Sequence, residues 1–472
     1  MHETRELTLR FEEEGRSASK ASHAGIIRIG FEGISQPHSV EHPCFNSLIE
    51  TLQAPYLQIG ITGPHPLTNV SFVTSAHLAH LYTRRHFRRD LKGAMQLNPD
   101  FPAVDPIPLP APIGLLKLLH IVTLALHFVA VEMLLGGLLI AVMLSLFRRS
   151  PASMVTARAL ARRLTVVMTF VINLAVPPLL FAQVLYGRDL YTSSVLIGLY
   201  WISIIGLLML TYWLLYRFTA RLETGRSAWW VGLIAWLLAG SIARLLSTNM
   251  TLMLRPEVWR QMYSASAAGR FLPTGDPTLT PRWLLMLAGG LFIGGLWMIY
   301  LAARSTFTTD EKRFVAGIGG KVAAVFGIVY LAAGLWAAHV QPEMVKAGLA
   351  GHGIYSFYKF AGFAGDGWLA LVAVAVLLGA IAGFGKIAAC WLAWVAVLVA
   401  VLTEIMFTVY RDGVRDLTLL SKGYDVWNRV VVTNWSVVLL FLVLFVAGLG
   451  VIGWLVSVVA RAKKVMEGAA TL

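Results

Sequence analysis

From residue 113 onward the chain alternates between long apolar runs and short polar breaks, a pattern that predicts helices crossing a bilayer. The runs fall at 113–147, 164–186, 194–217, 229–254, 283–303, 314–338, 366–384, 387–410 and 434–460. Most reach or exceed the ~20 residues that span a hydrocarbon core of ~30 Å. The run 366–384 is short, and only the turn at Gly383–Gly385 divides it from the next. The expected fold is therefore all-α: a polytopic membrane helix bundle of about nine transmembrane helices over residues 113–460. We see no inverted repeat with matched broken helices, the usual sequence mark of a secondary transporter.

The segments flanking the bundle differ from it in kind. Residues 1–94 are polar, rich in His and Arg, and hold no run long enough to cross a bilayer. They also lack the charged, apolar and small-residue zones of a signal peptide. His77, His80, Arg84, Arg85, His86, Arg88 and Arg89 cluster there, but the composition favours a disordered or natively untranslated segment over a metal or anion site. Met95 opens a Pro-rich lead-in over 95–112 that reads as a natural start, and 461–472 forms a short basic tail.

Lys and Arg distribution sets the expected orientation. Arg148, Arg149, Arg158, Arg162 and Arg163 follow the first run; Arg217, Arg221 and Arg226 follow the third; Arg304, Lys312 and Arg313 follow the fifth. With Lys386 and the tail residues Arg461, Lys463 and Lys464, this side outnumbers the other, which also carries most of the loop acids. The positive-inside rule then places Met95 outside and the C-terminus in the cytoplasm.

Composition narrows the class further. Hydrophobic residues make up 57%, charged residues 14%, and mean hydropathy is +0.68, against roughly 25% charged in a soluble domain. A formal charge of +14 could suit nucleic acid, but the basic residues lie in the N-terminal segment and between apolar runs, which is the pattern of topology. We expect no nucleic-acid partner. Cys44 and Cys390 provide no disulfide framework, no CxxC metal site and no CxxCH haem attachment. Nucleotide-binding and HExxH signatures are also missing.

Ionisable residues inside apolar runs are costly, about 2.5–3.5 kcal/mol each at a helix centre, so each one needs a reason. They are His120, His127 and Glu132 in the first run, Arg244 in the fourth, Lys321 in the sixth and Glu404 in the eighth. His120 and His127 stand seven residues apart and share a helix face. That placement serves haem or metal ligands projecting into a bundle, and equally serves hydrogen bonds to a neighbouring helix. Glu404 and Arg411 repeat the seven-residue spacing near the outer end of the eighth run, as an ion pair or as a ligand beside a propionate-binding arginine. His120 is expected nearer the level of Glu404 than His127 is. Pro177-Pro178 predicts a kink, and Gly136-Gly137, Gly289-Gly290 and Gly294-Gly295 predict close helix contacts.

His127-Phe128-Val129-Ala130-Val131-Glu132-Met133-Leu134-Leu135-Gly136 resembles the first helix of cytochrome bd quinol oxidase subunit I, where a haem-binding histidine precedes a glycine. Further similarity follows in order: Ile172-Asn173-Leu174-Ala175 through Gln183 and Tyr186-Gly187, Ser241-Ile242-Ala243 through Asn249-Met250 and Arg255-Pro256, then Lys312-Arg313. Glu404 followed by Arg411 is similar to that family's haem-liganding glutamate and nearby arginine, at a longer spacing. The resemblance spans roughly residues 113–460 and implies nine helices with an outside N-terminus.

Several family features are missing. Leu285 stands where the family has a low-spin haem histidine, and 366–384 holds neither the Met partner nor a His. Phe181 replaces the first residue of an acidic pair, and the quinol-binding loop is reduced to about 339–365. Quinol oxidation is therefore not implied, and the chain is at most one subunit of an oxidoreductase.

What the resemblance implies is a subunit in a bacterial inner membrane, binding one or two b-type haems and carrying electrons beside other respiratory subunits, with membrane lipid and possible quinone contact. His127 would be an axial ligand, Glu404 a second, His120 a competitor, Arg411 a propionate partner and Gln183 a polar neighbour. Two other classes compete. One is a cofactor-free membrane anchor or assembly subunit of the same fold. The other is a small-molecule or ion transporter using Glu132, Arg244, Lys321 and Glu404.

Overall fold

The computed structural model describes residues 107–147, 150–349 and 366–469. The expectations for 1–94, for most of the lead-in and for much of the 339–365 loop lie outside the described residues. Among the described residues nine long helices follow in order: α1 Ile113–Phe147, α2 Pro151–Leu196, α3 Gly198–Glu223, α4 Trp229–Leu252, α5 Leu279–Arg304, α6 Thr309–His339, α7 Asp366–Gly385, α8 Cys390–Ser421 and α9 Trp435–Ala469. Two seven-residue helices, Trp259–Ala265 and Glu343–Leu349, lie in the connections. Among the described residues there is no strand, only an isolated parallel bridge between Leu109 and Val431.

Eight of these helices, α1 to α8, are long and apolar enough to cross a membrane, and α9 adds an apolar stretch over Trp435–Val451. The protein is a polytopic membrane helix bundle. Its centre is α1 and α5, whose most apolar stretches are 61% and 67% buried, whereas α3 at 17% presents most of its surface outward. Large side chains such as Ile202, Met209 and Trp213 on α3 and Leu440 and Leu444 on α9 are exposed, as lipid-facing residues are in a bilayer.

Glycine explains how tightly the centre closes. A Cβ on Gly136 of α1 would lie 1.7 Å from the Gly290 carbonyl oxygen of α5, so the two backbones touch there. At the next seam, a Cβ on Gly320 of α6 would lie 2.3 Å from the Gly383 nitrogen of α7. Small residues permit such approach where lipid supplies little hydrophobic drive between helices.

Three departures from the sequence reading matter. First, the Arg-rich stretch after α1 is mostly helix. Ser150 caps α2 by accepting from the Ser153 backbone N–H at 3.3 Å, and Pro151 sits where a missing N–H costs nothing. Second, the helical angles of α2 break at Tyr186 (φ −132°, ψ 28°) and not at Pro177-Pro178, and α2 runs on to Leu196 through the gap expected between the runs 164–186 and 194–217. Third, α8 runs on from the expected end at 410 to Ser421, carrying Arg411, Asp412, Arg415 and Asp416 inside the bundle.

The lead-in is held to the segment before α9. The Leu109 N–H donates to Val430 at 2.8 Å, and the Val432 N–H donates to Leu109 at 3.0 Å. Arg429 donates to the carbonyls of Ile107, Val184 and Leu185, tying this seam to α2.

Candidate functional site

The polar residues of α1 face those of α8, and the two helices run antiparallel, so positions descend on α8 as they ascend on α1. Lys117 meets Asp416 and Asp412, His120 meets Arg415, Phe128 meets Phe407, and Glu132 meets Glu404. One helix pair thus displays four polar or aromatic layers in sequence.

The first layers form a closed ionic node. The Lys117 ammonium donates to Asp412 at 3.0 Å and Asp416 at 2.6 Å, with Tyr186 against it. Tyr186 also donates to Asp416 at 2.9 Å, and the Trp427 indole N–H donates to the second Asp416 oxygen at 2.9 Å. Every charged member is below a tenth exposed, so the node survives in a low-dielectric interior only because its valences are met. Sequence reasoning missed it. Lys117 lies early in the first run, and the Arg-Asp pairs after Tyr410 resemble a loop, although Asp412/Asp416 and Arg411/Arg415 repeat at helical spacing.

His120 belongs to this node's edge. Arg415 donates to its Nε2 at 3.0 Å, which leaves Nδ1–H to donate to the Pro178 carbonyl at 3.1 Å. Both nitrogens are committed, so His120 acts as a bridge between α1, α2 and α8. It is level with Arg415 and not with Glu404, contrary to expectation, because the extension of α8 moves Glu404 to the middle of that helix.

His127 is in a different situation. Val171 of α2 lies near the ring, but Nδ1 is enclosed without a hydrogen bond of good geometry. The ring lines a cavity of about 190 Å³ whose other walls are mainly apolar, including Phe128, Met168, Leu179 and Leu246. Arg411 and Arg415 close one side of it. The Arg411 guanidinium stacks 4.8 Å from the Phe128 ring and 5.6 Å from the Phe407 ring. Of the sequence candidates, this cavity brings together His120, His127 and Arg411.

The last layer is an acid pair. Glu132 and Glu404 are at most 1% exposed, and their carboxyls lie close enough to share a hydrogen bond. Tyr330 and Trp368 pack beside them, with ring centroids 5.6 Å apart. Among the described residues no Lys or Arg comes within ion-pairing distance of either carboxyl. Glu404 lines neither this cavity nor its neighbour, and so stands apart from His127.

The remaining candidates are scattered. Gln183 is half-buried on α2 and lines neither cavity. Arg244 lies 5.8 Å from the Trp283 ring, and Lys321 is exposed on α6 against Phe384. Leu285 is 1% exposed in the core, a packing residue on α5. Among the described residues no group of three or more His, Cys, Asp and Glu could hold a metal ion.

At the loop end of α8, Glu257 joins Lys422 at 2.8 Å and Arg255 at 3.4 Å. Burial alone would push the Glu257 carboxyl up, but the Lys422 ammonium and Arg255 guanidinium outweigh it and hold the group below the ordinary carboxylate range.

No protein-family model and no curated protein matches this chain in sequence. Among solved structures it matches a chain described as the structure of bd oxidase from Geobacillus thermodenitrificans, with a TM-score of 0.54 and 13% identity over 72% of this chain and 96% of that one. Identity that low speaks to fold and not to chemistry. In fold, the chain is a distant structural relative of bd oxidase.

Proposed function

We propose that this protein is a bd-oxidase-like integral membrane subunit that binds one b-type haem at His127 and carries electrons within a respiratory complex. The observation that supports the reading is a histidine with an enclosed, unbonded Nδ1, set against an apolar cavity with an arginine wall. A bound haem would supply one-electron chemistry, with its potential set by axial ligation and burial. His127 would hold the iron. Phe128, Met168 and Leu246 would exclude water, and Arg411, with no protein acceptor among the described residues, would balance a propionate. His120 does not fit as a ligand because both of its nitrogens are bonded. Glu404 does not fit either, because its carboxyl faces Glu132, so a second haem gains no support.

The same reading takes the N-terminus as outside and the tail as cytoplasmic, in a bacterial inner membrane with other respiratory subunits and quinone as partners. Arg415 is buried in the bundle and Arg411 half-buried, so neither counts as an exposed loop charge on the side opposite the tail, which favours that orientation. Cysteine labelling of intact cells tests it. An introduced cysteine at Thr224, exposed in the α3–α4 connection, should resist an impermeant reagent, and one at the exposed Ala267 should react.

One observation favours a second reading, the cofactor-free anchor of the same fold. The His127 cavity, about 190 Å³, is only somewhat larger than the ~150 Å³ void that admits benzene. A tetrapyrrole would have to displace side chains of α2 and α4. A reduced-minus-oxidised absorption spectrum of purified protein separates the two. The haem reading expects a cytochrome band that His127→Ala removes and His120→Ala retains, and the anchor reading expects no band.

A further inference from the structure

A second cavity, of about 250 Å³, lies at the end of the bundle where α4, α6 and α8 finish and α5 begins. Five cationic side chains line it, Arg255, Arg282, Arg411, Arg415 and Lys422, against a single carboxylate, Asp276. Three of the five have carboxylate partners at close range. Arg255 and Lys422 share Glu257, and Arg415 is spent on His120 with Asp412 at 4.0 Å.

Arg282 and Arg411 are not balanced in this way. Arg282 donates only to hydroxyls, Thr251 Oγ1 and Ser247 Oγ, the latter at 3.2 Å. Neither arginine has a carboxylate within ion-pairing distance, and Arg411 has no hydrogen bond, among the described residues. Both arginines are half-buried, and Asp276 and Glu404 act on them only from beyond ion-pairing distance; a partly desolvated charge without a close counter-ion is costly, and the hydroxyls fix the direction of one guanidinium without cancelling it. The two forks come from neighbouring helices, α5 and α8, and each retains N–H donors in the planar arrangement that suits oxyanions. A space of about 250 Å³ exceeds several times the ~30 Å³ share of one water, so it is roomier than a halide requires.

We propose that Arg282 and Arg411 bind a phosphate-class oxyanion in this cavity, either free or as the headgroup of a phospholipid. Lys422 and Arg255 stand on its lining from the loop side, and Ser247 and Thr251 orient Arg282. The site shares Arg411 with the haem reading, in which that guanidinium balances a propionate. Arg411 also borders the His127 cavity, but Arg282 does not, so Arg282 variants test the anion site alone.

The test uses the full chain in a phosphate-free detergent, titrated with inorganic phosphate at constant ionic strength in chloride and followed by calorimetry and thermal unfolding. In parallel, native mass spectrometry of protein released from phosphatidylglycerol/phosphatidylcholine nanodiscs reads any retained phospholipid. We expect saturable phosphate binding or a retained phospholipid, weakened at least tenfold in Arg282→Gln and in Arg411→Gln, and unchanged in Arg226→Gln, an exposed arginine elsewhere. Phosphate saturation without retained lipid assigns a free anion, and retained lipid that phosphate displaces assigns a headgroup. If Arg282→Gln does not fold, Ser247→Ala with Thr251→Val should still weaken binding severalfold by releasing the fork. Absence of both signals in the wild type, or equal signals in wild type and arginine variants, overturns the proposal. The absorption spectrum of the same samples reports haem separately, so either reading can fail alone.

Discussion

The two halves of α1 make opposite use of buried polar groups. In the first half, Lys117 and His120 have every strong valence met by α2, α8 and the segment before α9. In the second, His127 keeps an unbonded nitrogen and Glu132 faces a like-charged neighbour. Both halves lie against the same partner helix, so the difference is not one of burial. A satisfied network fixes how helices register, whereas open valences in a dry interior persist only where something else uses them. The histidine with no spare nitrogen is the structural one, and the histidine with an unmet one is the candidate ligand.

Breaking the closed half should have the largest effect. Lys117→Met removes the ammonium that Asp412 and Asp416 share, and removing one partner of a buried pair costs about 3–5 kcal/mol. Thermal unfolding in detergent should show a large fall in midpoint, partly restored by adding Asp412→Asn. A midpoint unchanged by Lys117→Met would mean the node contributes nothing to stability.

Next comes the edge of the node. His120→Ala strips Arg415 of an acceptor and the Pro178 carbonyl of a donor, at a cost of about 1–3 kcal/mol for the groups left unmet. The same variant should leave any haem band in place. Loss of that band with a folded protein would transfer the ligand role from His127 to His120.

How much of this was legible in the sequence depends on the residue. Nine helices could be read because lipid forces apolar runs of sufficient length, and α1 was placed at 113–147 as observed. His127 and Glu132 stood out because a polar residue in such a run has few innocent explanations. Lys117, Asp412, Arg415 and Asp416 did not, since charges near a run's end look like the start of water. Only the fold decides that α8 continues for three more turns with Val409, Leu417 and Leu419 buried around them. Pairing was out of reach as well. Nothing in one sequence tells that Glu404 meets Glu132 and not His127, because that depends on the offset between two helices distant in the chain.

In the open half the expected effect is smaller and opposite in sign. Glu132→Gln replaces a carboxyl pair with an amide that can donate to Glu404, so stability should hold or rise by about 1 kcal/mol, the worth of one hydrogen bond. A marked fall in midpoint would show that Glu132 has a further partner.

The smallest effect belongs to the loop end. Glu257 is held below its ordinary range, so its ion pairs with Lys422 and Arg255 contribute stability that is complete above the normal carboxylate range and is lost as pH falls through the lowered value. Glu257→Gln should therefore lower stability slightly at neutral pH and flatten that part of the acid limb, with the two proteins converging at low pH. Because Glu257 is 47% exposed, solvent screening keeps the effect small.

The central claim is that the open valence on α1 belongs to a cofactor, and one spectrum addresses it most directly. Wild-type protein and His127→Ala, both purified from haem-replete cells and matched for folded content, are compared by reduced-minus-oxidised absorption. A Soret and α-band signal is expected in the wild type and is absent from His127→Ala. A wild-type protein without a Soret band, or a His127→Ala protein whose band is unchanged, would contradict the claim.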